Sequence, residues 1–395
     1  MIDNTNSDTG QTPQNSSRLA TVMQVLPAMV TGGVERGTVE MAEAIVKAGG
    51  RAIVVSAGGP MVHELTRVGA EHVEMNVESK NFFIIRKNAT RLEKMIKQES
   101  VDLVHARSRA PAWSAYWASK RTHTPFITTF HGTYSHQNPM KRWYNSVMTK
   151  GERVIAISSF IAGHMRKIYG VRREIIRVIH RGVDLFRFDP EKVTAERLVK
   201  LSTQWNIPDG VPVVALPGRL TRWKGQLVFI DAIAKLERKD ICCLLIGSDQ
   251  GRSEYRKELV KRIKHHNLEG VITIVDECTD MPTAYMLSDI VVSASTDPEA
   301  FGRVVCEAQA MGRPVVATDH GGARETVIED HTGWLCKPGD SETMSQAIAK
   351  GLNLSEEKRE KMAGQAMKHI REGFSKDAMC SKTLEVYNEV LSLEN

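Results

Sequence analysis

The chain has 395 residues, of which 42% are hydrophobic and 25% charged, and it carries a net charge of +6. That length is too great for one ordinary domain and suffices for two, each with a sizeable core. No apolar run approaches the roughly 18 residues of a membrane-spanning helix, and aromatics make up only 6%, with no cluster that reads as a nucleic-acid motif.

Residues 1–17 are almost wholly polar and lack the basic and apolar regions of a secretory signal, so a disordered tail is expected there. From there apolar β-branched runs alternate with helical patterns. Residues 21–26, 52–56, 101–105, 126–130, 154–157 and 176–179 read as strands of one parallel sheet, each followed by a turn and a helix-period segment. The rhythm breaks at 182–190, a polar helix over 191–205 follows, and strands resume at 213–216, 242–246, 272–275, 290–294 and 314–317. An amphipathic helix over 374–393 has the length to reach back to the first half. The expected fold is α/β: a first Rossmann-like domain over 18–187, a second over 188–373, and residues 374–395 joining the first. Open parallel sheets bind ligands at the carboxyl ends of their strands, so a cleft between the two halves is the expected site.

Six cysteines show no CxxC pair and no metal-ligand rhythm, and several lie in apolar runs, which suits buried reduced thiols in a cytoplasmic protein. Charge is uneven: residues 1–185 hold 25 Lys and Arg against 15 Asp and Glu. A basic first half suits an anionic partner such as a lipid headgroup, a phosphorylated acceptor or nucleic acid, although solvated surface charge accounts for most such excesses.

Four stretches carry chemistry. Thr31-Gly-Gly-Val-Glu-Arg-Gly37 follows the first strand; it is neither a GxGxxG fingerprint nor a P-loop, but its paired glycines, Gly33 among them, permit close approach of a phosphate or sugar to a helix start. Thr128-Thr-Phe-His-Gly132 ends a strand and aims His131 at the cleft. Leu216-Pro-Gly-Arg-Leu-Thr-Arg-Trp-Lys-Gly225 puts Arg219 and Lys224 at another strand end, where two cations suit a diphosphate leaving group. Asp297-Pro-Glu-Ala-Phe-Gly-Arg-Val-Val-Cys-Glu307 places Glu299 at the cleft mouth and Glu307 about two turns down a helix. Phe301, Gly302 and Arg303 open that helix with free amides, an anion site, and the carboxylates suit vicinal hydroxyls. Each stretch alone is also what an ordinary βα turn contains; their combination is what points to a site. Pro139-Met-Lys-Arg-Trp-Tyr144 joins cations to aromatics, as at a membrane interface, or equally packs Trp143 inward.

With Gly312-Arg-Pro-Val-Val-Ala-Thr-Asp-His-Gly-Gly-Ala-Arg-Glu325 downstream, these motifs resemble, in order, the retaining glycosyltransferases of family 4, which have the GT-B fold. The stretch Ala106-Arg-Ser-Arg-Ala-Pro-Ala-Trp113 and the wording around Glu299 look like bacterial lipopolysaccharide-core sugar transferases. The resemblance implies a hexosyltransferase that uses a UDP- or GDP-sugar without metal or further cofactor. Its acceptor would be a glycolipid or oligosaccharide of envelope polysaccharide synthesis, met in the cytoplasm or peripherally at the inner membrane, with no nucleic-acid partner. It also implies residue roles: Arg219 and Lys224 on the donor diphosphate, Glu307 on the ribose, Glu299 on the sugar hydroxyls and His131 beside the anomeric centre. Gly33, Phe301, Gly302 and Arg303 would sit on phosphates and sugar, and the loop 276–281 beside the base. Many relatives have Gly-Leu or a similar pair after the Phe-Gly equivalent; here Arg303 takes the first slot, where its side chain would either contact an acidic sugar or phosphate or face solvent. A sugar-nucleotide epimerase of the same fold, which needs no acceptor, and a non-catalytic sugar-nucleotide binder are the competing readings.

Overall fold

A computed structural model describes residues 20–30, 32–251 and 253–393; the expected tail and Thr31 lie outside them. The first half runs β1 (Thr21–Val25), α1 (Gly33–Lys47), β2 (Arg51–Ser56), α2 (Val62–Arg67), β3 (Glu71–Glu74) and α3 (Phe82–Gln98). It continues with β4 (Leu103–Ala106), α4 (Arg109–Thr122), β5 (Phe126–Phe130), α5 (Pro139–Asn145), β6 (Arg153–Ala156), α6 (Ser159–Tyr169) and β7 (Ile176–Val178). The second half runs α7 (Ala195–Gln204), β8 (Val213–Pro217), α8 (Gln226–Lys235), β9 (Cys242–Ile246), α9 (Ser253–His265), β10 (Ile272–Val275) and α10 (Met281–Leu287). It ends with β11 (Ile290–Ser293), α11 (Arg303–Ala310), β12 (Val315–Thr318), α12 (Ala323–Thr326), β13 (Gly333–Cys336), α13 (Ser341–Leu352), α14 (Glu356–Gly373) and α15 (Lys376–Ser392).

All strand pairs are parallel. The first sheet has the order β3-β2-β1-β4-β5-β6-β7 and the second β10-β9-β8-β11-β12-β13. Strands covered by helices on both faces read as continuous apolar runs, and β1, β5, β8 and β9 are buried at every position. β3 and β13 did not stand out in the sequence. β3 (Glu-His-Val-Glu) is a half-exposed edge strand with one apolar residue, and β13 begins at Gly333, whose Cβ would overlap the Val315 carbonyl. The expected polar helix over 191–205 is shorter: Thr194 caps α7 by accepting from the Arg197 amide, and residues 190–192 form a separate 3-10 turn.

The chain order reverses twice, between β1 and β4 and between β8 and β11. Such switch points open crevices at the strand carboxyl ends. The loops after β1 and β4 in one half, and after β8 and β11 in the other, therefore frame the site. α15 returns to the first half: Met379, Cys380, Val386, Tyr387 and Val390 are buried in one cluster with Val39, Met41, Ala42 and Ile45 of α1. Residues 183 and 375 form a parallel bridge where the two crossovers lie side by side. Five of the six cysteines are buried and all six are free.

Candidate active site

Glycines set the loops of the second half. Gly225 is left-handed at φ +74°, and a Cβ there would overlap the Ala294 carbonyl, so the turn before α8 is pressed against the end of β11. The stem of Lys224 lies over Gly218, and its Nζ reaches Glu299 Oε1 at 2.7 Å. Glu299 also accepts from Ser295 Oγ and, at 3.4 Å, from Ser293 Oγ. Burial alone would raise the Glu299 pKa, but Lys224 and the two serines hold it below the ordinary carboxylate value. Gly321 and Gly322 explain the downstream Gly-Gly: Cβ atoms there would overlap the backbone of Glu299 and Phe301, and the Gly322 amide donates to the Glu299 carbonyl at 2.9 Å.

Gly302 caps α11 in the left-handed region at φ +86°. Because α11 begins only at Arg303, Glu307 sits one turn down the helix, not two. Its oxygens are engaged by the Tyr285 hydroxyl at 2.9 Å and Arg303 Nη2 at 3.2 Å, each retaining a lone pair for a ribose hydroxyl. The Phe301 side chain is buried near His180 and Phe374, so only its backbone faces the loop. Arg219 is exposed, and its guanidinium pairs with no described residue. The loop 276–281 borders a cavity of about 260 Å³ that also touches Arg197, Leu201 and Trp205.

Across the cleft, α1 starts at Gly33, and a Cβ on Gly33 would lie 3.5 Å from Arg303 Nη1. His131 follows β5; burial first, then Arg181 and Arg107, push its pKa well below 6.5, so the imidazole is neutral. Neither of its ring nitrogens has a partner among the described residues. The halves are pinned together nearby. Glu325 of α12 accepts from the Ser159 and Phe160 amides at the start of α6, at 2.7 and 2.9 Å, and from His180 Nε2 at 2.8 Å. Ser158 Oγ donates to the Ala300 carbonyl at 2.6 Å.

The structure thus brings Lys224 to Glu299, Arg303 to Glu307, and Gly33 to Arg303. Sequence reasoning quoted Arg107 only within the stretch 106–113, without a role, and passed over Arg181, Ser295 and Tyr285. Arg107 stands directly after β4, where a charge at the carboxyl end of an apolar strand was the available signal, and Arg181 lies three residues beyond the end of β7.

Trp143 does not pack inward: it is 60% exposed and stacks on Trp113 at 4.8 Å. Beside it Phe82, Phe83 and Met140 are also exposed, and Phe82 meets Trp117 edge-on. Arg86, Lys120 and Arg121 line a groove with Phe82 and Trp117, and Lys80 and Lys141 line another with Met140 and Tyr144. No helix among the described residues is long and apolar enough to cross a membrane.

Residues 31–187 match the family model described as Glycosyltransferase Family 4, and residues 200–369 the one described as Glycosyl transferases group 1. A solved glycosyltransferase of Rickettsia africae is 41% identical, with 94% of this chain and 98% of that one covered and a TM-score of 0.88. Anabaena HepE, solved with UDP and glucose, is 25% identical, with 93% and 99% covered and a TM-score of 0.78. WcaL of Escherichia coli K12, a glycosyltransferase named for colanic acid biosynthesis, is 27% identical over 64% of this chain and 61% of its own length. Two parallel-sheet halves, each matching a glycosyltransferase model, and a solved glycosyltransferase alike from end to end make this chain a member of the family 4/group 1 glycosyltransferases with the GT-B fold.

Proposed function

We propose that the protein transfers a hexosyl group, with retention and without a metal, from a UDP- or GDP-sugar to a glycolipid or saccharide acceptor of the cell envelope. The observation that carries this reading is the Lys224–Glu299 pair beside Arg219 at one switch point, set against neutral His131 at the first half's strand ends. Lys224, Arg219 and the α11 amides supply the positive charge that a departing diphosphate requires. Glu299 holds sugar hydroxyls, and Glu307 the ribose. The bond from the anomeric carbon to the diphosphate breaks as that from the acceptor oxygen forms on the same face. The acceptor proton passes to a donor phosphate oxygen, so no protein base is needed. His131, uncharged, hydrogen-bonds the sugar without opposing the positive charge that develops on its ring.

The UDP and glucose held by HepE support a UDP-sugar, and the name of WcaL supports an envelope product. A thermal-shift panel of UDP, GDP, ADP and their sugars tests the donor. One nucleotide-sugar is expected to stabilise the fold by about 2.7 kcal/mol at 100 times its Kd, and Glu307→Ala to abolish the shift. No shift from any of them would sink the reading.

The lipid side rests on the exposed Phe83 and Trp143 amid Lys80, Arg86 and Lys141, an apolar and cationic face that suits an anionic bilayer. Co-sedimentation with phosphatidylglycerol vesicles is expected, and the Phe83→Ser, Trp143→Ser double variant should bind at least tenfold more weakly. Wild-type protein left in the supernatant would remove membrane contact from the proposal.

A further inference from the structure

Three guanidinium groups converge beneath the first two turns of α1. Arg107 comes from the end of β4, Arg181 from the segment after β7, and Arg303 from the start of α11. Gly33 and Gly37, one turn apart, leave room for them. A Cβ on Gly33 would meet Arg303 Nη1 at 3.5 Å and Arg181 Nη2 at 3.7 Å. On Gly37 it would meet Arg107 Nη2 at 3.0 Å and overlap Arg181 Nη1.

The cluster is poorly compensated. Arg107 is 4% exposed and Arg181 8%, and neither side chain makes a hydrogen bond or ion pair with a described residue. Arg107 Nε is buried with no partner among the described residues, as are both nitrogens of His131. The acids that face the cluster are Glu40, buried on α1, and Glu35; Arg303 shares its charge with Glu307. Burial and the repulsion of Arg107 and Arg303 bring Arg181 down to about 9. Unpaired buried charge is among the most costly things a fold can hold, and a bound anion relieves it. The donor diphosphate already has cations of its own, Arg219 and Lys224, on the opposite half.

Resting on the glycosyl-transfer reading, we propose that Arg107, Arg181 and Arg303 form a second anion site, which selects a substrate carrying a carboxylate or phosphate on the transferred sugar or on the acceptor. Planar guanidinium groups match either oxyanion with paired hydrogen bonds.

Calorimetric titration of the full chain separates the sources. UDP-glucuronate binding at least tenfold tighter than UDP-glucose, or the GDP-mannuronate and GDP-mannose pair showing the same, would place the anion on the donor. Glucose 6-phosphate binding at least tenfold tighter than glucose at saturating UDP or GDP would place it on the acceptor. Arg107→Gln is expected to erase the preference while leaving UDP or GDP affinity within about twofold. Arg303→Gln, at a partly exposed side chain, is expected to weaken the preference and serves if the buried variant does not fold. The proposal is overturned if anionic and neutral probes bind alike in both arms, or if Arg107→Gln weakens the bare nucleoside diphosphate as much as the acidic probe. Failure of every nucleotide to bind would instead sink the glycosyl-transfer reading on which the proposal rests.

Discussion

Replacing Lys224 by Ala is expected to lower kcat by about two to three orders of magnitude, the loss seen when a donor to a developing oxyanion is removed. Nζ lies 2.7 Å from Glu299, its side chain is only 14% exposed, and its stem is held over Gly218 by the left-handed turn at Gly225. The charge is therefore pre-oriented and partly shielded from water, so it acts on a departing diphosphate without reorganising. Without Lys224 the buried Glu299 carboxylate keeps only its serine partners among the described residues, and a broken buried pair costs about 3–5 kcal/mol of stability. The double variant Lys224→Met, Glu299→Gln removes both charges together, so it should regain thermal stability and stay inactive. Turnover of Lys224→Ala within threefold of wild type, measured with the donor that the binding panel identifies, would exclude this lysine from the chemistry.

The same pair shows where reading the sequence stops. The α/β rhythm was legible because strands buried on both faces must be apolar throughout, as in Cys242–Ile246, while their helices alternate. Edge strand β3 escaped because burial no longer dictates its residues. At the site, residue types and spacing marked Lys224 and Glu299 separately, but their ion pair spans 75 positions and depends on the β8–β11 neighbourhood. Glu307 was placed too deep, since the left-handed Gly302 delays the start of α11 to Arg303. The arginine cluster was invisible for a related reason. Residues 107, 181 and 303 share no local pattern, and only the packing of α1 over both halves brings them together.

Tyr387→Ala is expected to destabilise the first half by about 3–5 kcal/mol, the range for deleting a buried aromatic side chain. Tyr387 is 2% exposed on α15, among the residues that cover α1 and the sheet. Its hydroxyl also lies 2.8 Å from His105 Nδ1, whose Nε2 is 2.7 Å from Thr129 Oγ1, so the fully buried imidazole is satisfied at both nitrogens. Tyr387→Phe keeps the packing and orphans Nδ1, at a cost of about 1–3 kcal/mol. This unit also gives the stability its pH dependence. Burial first, and then Arg107, hold the His105 pKa well below 6.5, so folded His105 stays neutral while the unfolded chain protonates as pH falls past 6.5. A depressed folded pKa means stability that is complete above the unfolded value and lost on acidification, at about 1.4 kcal/mol per pH unit for each such group. His131 follows the same sign. Carboxylates held low, such as Glu325 and Glu299, lose their contribution only near and below the ordinary value of 4.5. The decline between pH 6.5 and 5 therefore belongs to the histidines. Urea unfolding across that range should show stability falling with pH in the wild type, and a shallower slope in Tyr387→Ala, where water reaches His105. A flat wild-type profile would mean that His105 titrates as freely in the folded chain as in the unfolded one, and that its contacts with Tyr387 and Thr129 do not keep it neutral.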